Sequence, residues 1–188
     1  MKIIGLLGNQ GVGKSYISQY ISDELYKLNK KSIILAFADH FKIDCVCKHN
    51  IEYNRVFGDK DLESRKLLQK VGTEEGRDVF GQNIWINVVE NWIKVFYSRG
   101  IEYFIISDVR FLNEVEWIKS INGIVIKINA PERHKICLKK ESNNNLDNEN
   151  EIKAHISEIE INKITNYDLI INNDFEKNNL HLLDISLL

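Results

Sequence analysis

The stretch Gly8-Asn9-Gln10-Gly11-Val12-Gly13-Lys14-Ser15 decides the fold of this chain. It matches the phosphate-binding loop pattern G-x-x-x-x-G-K-[ST] at every defined position. The apolar run Lys2–Leu7 before it is typical of a short buried strand, and apolar residues after it recur at helical spacing. Backbone N–H groups of a glycine turn and the start of a helix both favour an anion. We therefore predict that residues 8–15 bind a phosphate group.

Two loop residues and one distant acid have predicted roles in phosphate chemistry. Lys14 can reach the β- and γ-phosphates of a nucleotide, and Ser15 can ligate Mg²⁺. Asp108 lies at the end of the apolar run 101–109, where a P-loop enzyme needs an acid to hold the metal or its water. The alternative is a solvated aspartate that opens a turn. We predict ATP and Mg²⁺ as cofactors, with Ser15 and Asp108 as metal ligands.

The composition is that of an ordinary globular protein. The chain has 188 residues, 44% of them hydrophobic and 28% charged, with a net charge of −2. That charge argues against a general nucleic-acid binder, and no apolar run reaches membrane-spanning length. Three cysteines without framework spacing favour reduced thiols. We expect a cytoplasmic protein without a membrane or nucleic-acid partner.

Apolar runs of strand length alternate with segments of helical period. This alternation predicts an α/β fold of three layers, with about five parallel strands and helices on both faces. The predicted strands are 2–7, 32–38, 101–109, 124–128 and 167–171, and a closing helix is predicted over 175–188. The Asn-rich stretch 141–151 buries little apolar surface and should be mobile. One domain is predicted over residues 1–188.

Three arginines and one further acid are candidates for a second anionic site. Arg77, Arg110 and Arg133 each lie near an element end, and phosphoryl transfer needs positive charge to stabilise the transferred group. Asp39 follows the second predicted strand. It would act as a base if the acceptor is a hydroxyl. A phosphate acceptor is already largely ionised, and Asp39 would then bind substrate or the metal shell.

Several segments, in order, resemble the bacteriophage-type deoxynucleoside monophosphate kinases, a branch of the P-loop kinases. Besides the phosphate loop, the resemblance rests on Phe37-Ala38-Asp39-His40-Phe41-Lys42, Gly72-Thr73-Glu74-Glu75-Gly76-Arg77, Trp85-Ile86, Ile106-Ser107-Asp108-Val109-Arg110-Phe111-Leu112-Asn113-Glu114, His155-Ile156-Ser157-Glu158 and the strand ending in Asn172-Asn173. It covers nearly the whole chain.

This resemblance implies ATP-dependent phosphorylation of a deoxynucleoside monophosphate to the diphosphate. It implies that Arg77 and Arg110 meet the monophosphate, with a substrate-binding region over 49–80 and a lid over 131–157. Combined with the strand-end argument, it gives two predicted sets. The catalytic set is Lys14, Asp39, Arg110 and Arg133, and the substrate-binding set is Asp39, Lys42, Arg77, Trp85, Asp108 and Arg110. It is also compatible with a homodimer.

Other functions fit parts of the sequence. A phosphomevalonate kinase of the animal type has a similar strand-Asp-x-Arg layout and is the nearest enzyme alternative. A protein that binds nucleotide only as a structural ligand is a non-enzymatic one. A GTP-binding switch is disfavoured, because Asp108-Val109-Arg110-Phe111 lacks the expected glycine and Asn162-Lys163-Ile164-Thr165 lacks the final aspartate.

Overall fold

The computed structural model describes residues 1–58, 62–143, 161–175 and 179–185. The chain divides into two compact units. The first, called the sheet unit, contains Met1–Ile34 and Gly100–Leu188, and the second, called the insert unit, contains Leu35–Arg99. Residues 49–80, the predicted substrate-binding region, fall within the insert unit. The prediction of one domain over 1–188 stays a prediction.

A parallel β-sheet forms the centre of the sheet unit. The strands that the structure describes are β1 (Lys2–Leu7), β2 (Ser32–Leu35), β3 (Tyr103–Val109), β4 (Ile124–Asn129) and β5 (Leu169–Asn172). Their order is β2-β3-β1-β4-β5, and β1 pairs in parallel with both β3 and β4. This confirms the predicted α/β fold with five parallel strands. It puts the end of β1, where the phosphate loop begins, in the middle of the sheet.

Helices account for most of the other described residues. They are α1 (Lys14–Lys27), α2 (Phe37–His49), α3 (Tyr53–Phe57), α4 (Leu62–Gly72), α5 (Asp78–Phe80), α6 (Ile84–Ser98), α7 (Leu112–Ser120) and α8 (Pro131–Asn143). Between α4 and α5 the backbone forms a π-helix, Thr73–Arg77. None of the helices in the described ranges is long and apolar enough to cross a membrane.

Helices cover both faces of the sheet. Ile4 and Leu6 of β1 share one core with Ile17 and other apolar residues of α1. On the other face α7 approaches so closely that a Cβ at Gly5 would lie 2.5 Å from Ile118 Cδ1. Successive strand residues point to opposite faces, so Ile4 and Leu6 face α1, whereas Gly5 faces α7. The three predicted layers are therefore present in the sheet unit.

The second predicted strand is wrong at its end. It was expected to run to residue 38, but β2 ends at Leu35 and α2 begins at Phe37. Phe37 and Cys45 are buried and Phe41 packs with Cys45, and the spacing of four residues between them is that of one helix face. The apolar Phe37 thus continues the hydrophobic run without continuing the strand. Asp39 lies in the first turn of α2.

Two predictions concern segments that are only partly described. The predicted closing helix over 175–188 is wrong in the described residues 179–185, where the 3-10 turn Leu180–Leu182 is followed by two residues outside any helix. The predicted lid over 131–157 begins with α8, which continues to Asn143. Residues 144–157, and with them most of the predicted mobile stretch, lie outside the described residues, as does the motif segment 155–158.

Candidate active site

The predicted phosphate-binding loop joins β1 to α1. The strand ends at Leu7, and α1 begins at Lys14 with Gly13 as its N-cap. Gly11 and Gly13 have φ values of 78° and 92°, in the left-handed region that favours glycine. The loop therefore leads directly into the amides at the start of α1, which have no partners within the helix. An anion at this place would meet several N–H donors at once.

Lys14 is held against the loop by the loop's own carbonyl groups. Its ammonium donates to Gly8 O at 2.5 Å and to Asn9 O at 2.8 Å. The residue is only 8% exposed, and a buried ammonium is costly unless acceptors surround it. Lys14 therefore places its positive charge at the predicted phosphate site, on the side of the sheet where β1 ends.

Two further side chains donate to loop carbonyls, and neither was predicted as a site residue. His134 Nδ1 lies 2.7 Å from Gln10 O; because a carbonyl oxygen only accepts, this nitrogen carries the proton. Asn173 Nδ2 donates to Val12 O at 2.8 Å. Carbonyls engaged in this way leave anion binding to the amides of the loop.

The loop has no room for larger residues at its two left-handed glycines. A Cβ at Gly11 would lie 2.6 Å from Cys137 Cβ of α8. A Cβ at Gly13 would lie 2.3 Å from Asn173 Nδ2, just after β5. Real Cβ atoms are not found at such distances. Thus α8 and the segment after β5 pack closely against the phosphate loop at Gly11 and Gly13.

Arg133, one of the predicted catalytic residues, lies in α8 and contacts the segment after β5. Its Nε donates to Asn173 O at 2.5 Å, and its guanidinium lies 4.4 Å from the centre of the Phe175 ring. Its backbone amide donates to Asp174 Oδ1 at 3.2 Å, as expected for a carboxylate at a helix N-terminus. Arg133 therefore belongs to the same part of the sheet unit as the phosphate loop.

Asp108 and Arg110 lie at the end of β3, beside the end of β1. Gly5 pairs with Ile106 and Leu7 with Val109, so two residues of β3 stand opposite one residue of β1. This is a β-bulge, an irregularity often found next to active sites, where it re-aims a side chain. Asp108 is one of the two residues in the bulge.

Glu114 fixes the backbone just after this acid. Its carboxylate accepts from the amide of Arg110 at 2.8 Å and from that of Phe111 at 3.1 Å, and the residue is 2% exposed. The interaction is the return half of a capping box at the start of α7. Glu114 was not predicted as a site residue, although its position three residues after the N-cap Phe111 is the spacing of that motif.

In the insert unit, Arg77 ends the π-helix and is 7% exposed. Its Nη1 donates to Gln82 O at 3.4 Å. Trp85, predicted to bind substrate, is 6% exposed, and its indole N–H donates to Gly72 O at 2.8 Å. A Cβ at Gly76 would lie 2.3 Å from Trp85 Cζ2. Trp85 thus packs beneath the π-helix that carries Arg77.

Asp39 and Lys42 form an ion pair on α2 of the insert unit. Lys42 Nζ lies 3.1 Å from Asp39 Oδ1 and 5.0 Å from the centre of the Phe57 ring. The carboxylate side chain is 49% exposed, whereas that of Lys42 is 18% exposed. Asp39 is therefore open to solvent and already paired with a cation.

The predicted residues thus fall into two groups. The phosphate loop with Lys14 and Ser15, Asp108, Arg110 and Arg133 belong to the sheet unit, and Asp39, Lys42, Arg77 and Trp85 belong to the insert unit. In the described ranges no three His, Cys, Asp or Glu side chains cluster as a metal site. Mg²⁺ is commonly bound through one or two protein oxygens together with substrate phosphates and water. The exposed Ser15 hydroxyl and the Asp108 carboxylate are ligands of that kind.

A glycine-rich phosphate loop between the first strand and first helix of a parallel sheet defines the P-loop class of α/β proteins. Among curated proteins, the chain is 28% identical over 193 residues to the Acanthamoeba polyphaga mimivirus protein named "Putative deoxynucleotide monophosphate kinase", covering 93% of this chain and 89% of that protein. It is 36% identical over 63 residues to the deoxynucleoside-5'-monophosphate kinase of Escherichia phage T5, a match that covers 34% of this chain and 24% of the phage protein. These relatives confirm the predicted resemblance to the deoxynucleoside monophosphate kinases.

Other comparisons are less specific. A solved structure described as a sugar kinase from Janibacter sp. superposes with a TM-score of 0.47 and 13% identity, covering 100% of this chain and 92% of that one. No protein-family profile matches the chain.

Proposed function

We propose that the protein transfers the γ-phosphoryl group of ATP to a deoxynucleoside monophosphate, giving the diphosphate. The observation that carries this proposal is the buried Lys14, held at the mouth of a phosphate loop whose carbonyls accept from protein donors. The relationship to proteins named deoxynucleotide monophosphate kinases supports the choice of acceptor.

The sheet unit would bind the phosphates of ATP. The amides of residues 8–15 and the N-terminus of α1 would hold the β-phosphate, and Lys14 would exchange its carbonyl partners for phosphate oxygens. When bound, Mg²⁺ would supply positive charge that offsets the negative charge developing during transfer. Ser15 and Asp108 would hold it, directly or through water. Arg110 and Arg133 would add positive charge around the transferred group.

The insert unit would bind the acceptor. Arg77 offers a planar fork that suits a monophosphate. Asp39 is already paired with Lys42, and an ionised phosphate needs no base to take a proton. We therefore assign Asp39 and Lys42 to acceptor binding and leave no general-base step in the mechanism. Trp85 would support Arg77 from beneath.

The direct test is an ADP-release assay with ATP, Mg²⁺ and every common ribo- and deoxynucleoside monophosphate. The proposal expects turnover with one or more deoxynucleotides and little ADP without an acceptor. Activity with phosphomevalonate and none with nucleotides would overturn the proposal in favour of a phosphomevalonate kinase. ATP binding without any turnover would favour a structural nucleotide site.

Lys14→Ala supplies the mutational arm, with Lys27→Ala as its matched control. Both lysines belong to α1, but Lys27 is in the exposed last turn, where it pairs with Glu24. Loss of turnover in Lys14→Ala, with Lys27→Ala unchanged, is expected. Equal activity of the two variants would refute the assignment of Lys14.

A further inference from the structure

We infer that Asn173 is a positioning residue of the phosphate loop, and that its carboxamide sets the affinity for ATP without touching the nucleotide. The inference deepens the proposed function and rests on it. Asn173 is separated from the loop by 161 positions along the chain, yet its Nδ2 donates to Val12 O at 2.8 Å. The residue is 2% exposed.

A loop that binds an anion through its backbone N–H groups must point its carbonyl oxygens away from that anion. Each carbonyl turned into the protein needs a donor there, because a buried unpaired acceptor is costly. Val12 is 3% exposed, so water is not an adequate donor for its carbonyl. The Asn173 amide supplies that hydrogen bond at the position just before the left-handed Gly13.

The space around this hydrogen bond is already filled. Nδ2 lies 2.3 Å from the place that a Cβ of residue 13 would take, so the carboxamide occupies the volume left by the missing side chain of Gly13. The contact therefore holds the last peptide before α1, whose N–H groups form the start of the anion site.

The same residue also ties Arg133 to the loop. Its backbone carbonyl accepts from Arg133 Nε at 2.5 Å, and its backbone N–H donates to Asn129 O at 2.9 Å. The end of β5 is thereby joined to β4, to the loop and to α8. Displacing the carboxamide would shift the phosphate loop relative to an arginine of the proposed transfer site.

Because Val12 O can only accept, the chemistry of the side chain at 173 is decisive. Asn173→Asp keeps size and shape but puts a carboxylate oxygen against a carbonyl oxygen. A protonated carboxyl can donate, so the hydrogen bond returns when the introduced group takes up a proton. Burial and the facing carbonyl both favour the neutral form and raise its pKa above the usual 3.9 of an aspartate.

Asn172→Asp is a matched control one residue away. There the side-chain oxygen accepts from Asn129 Nδ2 at 2.9 Å, so a carboxylate preserves the interaction. The two variants carry the same chemical change and the same added charge. They differ in whether the side chain must donate or accept.

The experiment is calorimetric titration with MgATP from pH 5.5 to 8.5, for wild type and both variants, with a deoxynucleoside monophosphate titrated separately. At pH 8, Asn173→Asp should weaken ATP binding by about tenfold or more, the effect of one lost buried hydrogen bond. The ratio of the Kd for MgATP in Asn173→Asp to that in wild type should fall towards one as the pH is lowered. Asn172→Asp should match wild type, and monophosphate binding should be unchanged in both variants.

ATP affinity equal to wild type at all pH values would overturn the inference. So would an ATP defect that does not change with pH, or an equal loss of monophosphate binding, which would indicate a general structural role. If Asn173→Asp does not fold, Asn173→Ala decides: it removes the donor without adding charge, and wild-type ATP affinity in it would refute the role. ATP binding by wild type without turnover of any monophosphate would reject the proposed function and leave the Asn173 test intact.

Discussion

Gly76 and Trp85 should be energetically coupled through the π-helix of the insert unit. In Gly76→Ala the new methyl group would lie 2.3 Å from Trp85 Cζ2 and 3.0 Å from Val71 O. Such overpacking costs about 1–3 kcal/mol, while alanine regains up to about 1 kcal/mol of helix propensity. The expected net loss of unfolding free energy is about 1–2 kcal/mol.

Trp85→Phe removes both the clashing ring atoms and a hydrogen-bond donor. The lost indole N–H leaves Gly72 O without that donor, at a cost of about 1–3 kcal/mol. In the double variant the methyl group enters the volume vacated by the indole. The double variant should therefore be about 1–2 kcal/mol more stable than the sum of the single effects predicts, since contacting residues couple on this scale.

Urea unfolding followed by far-ultraviolet circular dichroism gives the free energy of unfolding of wild type, of both single variants and of the double variant. Trp92→Phe on the same helix is the control, because Trp92 is 46% exposed and should show no coupling to Gly76→Ala. The KM for the acceptor should rise in Gly76→Ala, because Arg77 follows directly, and recover in the double variant. Additivity within about 0.5 kcal/mol would refute the packing argument.

Other perturbations test separate parts of the molecule. Arg77→Lys keeps the charge but loses the planar guanidinium, so the KM for the monophosphate should rise about tenfold or more while ATP affinity stays constant. Arg99→Lys, at the exposed C-terminal end of α6 and outside residues 49–80, is the control. An unchanged KM in Arg77→Lys would exclude Arg77 from the acceptor site. His134→Asn keeps a donor for Gln10 O, whereas His134→Ala loses it. ATP binding should therefore be weaker only in His134→Ala. Equal ATP affinities of the two variants would show that the hydrogen bond is dispensable. Burial raises the pKa of Asp168, but hydrogen bonds from Lys119 and the Val125 amide outweigh it and hold the pKa below 3.8. Wild type should therefore be more stable than Asp168→Asn above pH 4, and the difference should disappear as the pH falls through the folded-state pKa; a difference constant down to pH 2 in urea unfolding would contradict this.

The sequence predicted best what depends on local pattern. The phosphate loop, β1 and α1 follow from glycine spacing and hydrophobic period, and the parallel sheet follows from the alternation of strands and helices. The end of β2 was misplaced because Phe37 is equally apolar whether it continues a strand or begins a helix. Glu114 was missed because the N-cap residue three positions before it is Phe111, which lacks the side-chain oxygen of the usual capping-box signature.

Contacts between distant positions could not be predicted. Asn173 meets Val12 across 161 positions, and nothing in the local sequence at either residue marks the pair. Trp85 was placed in the substrate-binding set because the segment Trp85-Ile86 resembles the deoxynucleoside monophosphate kinases. Its burial depends instead on the π-helix and on the small volume of Gly76, which are features of packing in three dimensions.

The bulge in β3 has a consequence for how this protein can vary in length. Deleting Ser107 would restore regular pairing with β1 and give a more uniform strand. It would also place Asp108 one residue after Ile106 instead of two, and a shift of one residue turns a strand side chain to the opposite face. In natural variants of this chain, residue substitution at 107 should be tolerated far more readily than loss of the position. The number of residues in β3, as much as their identity, therefore sets where the acid lies.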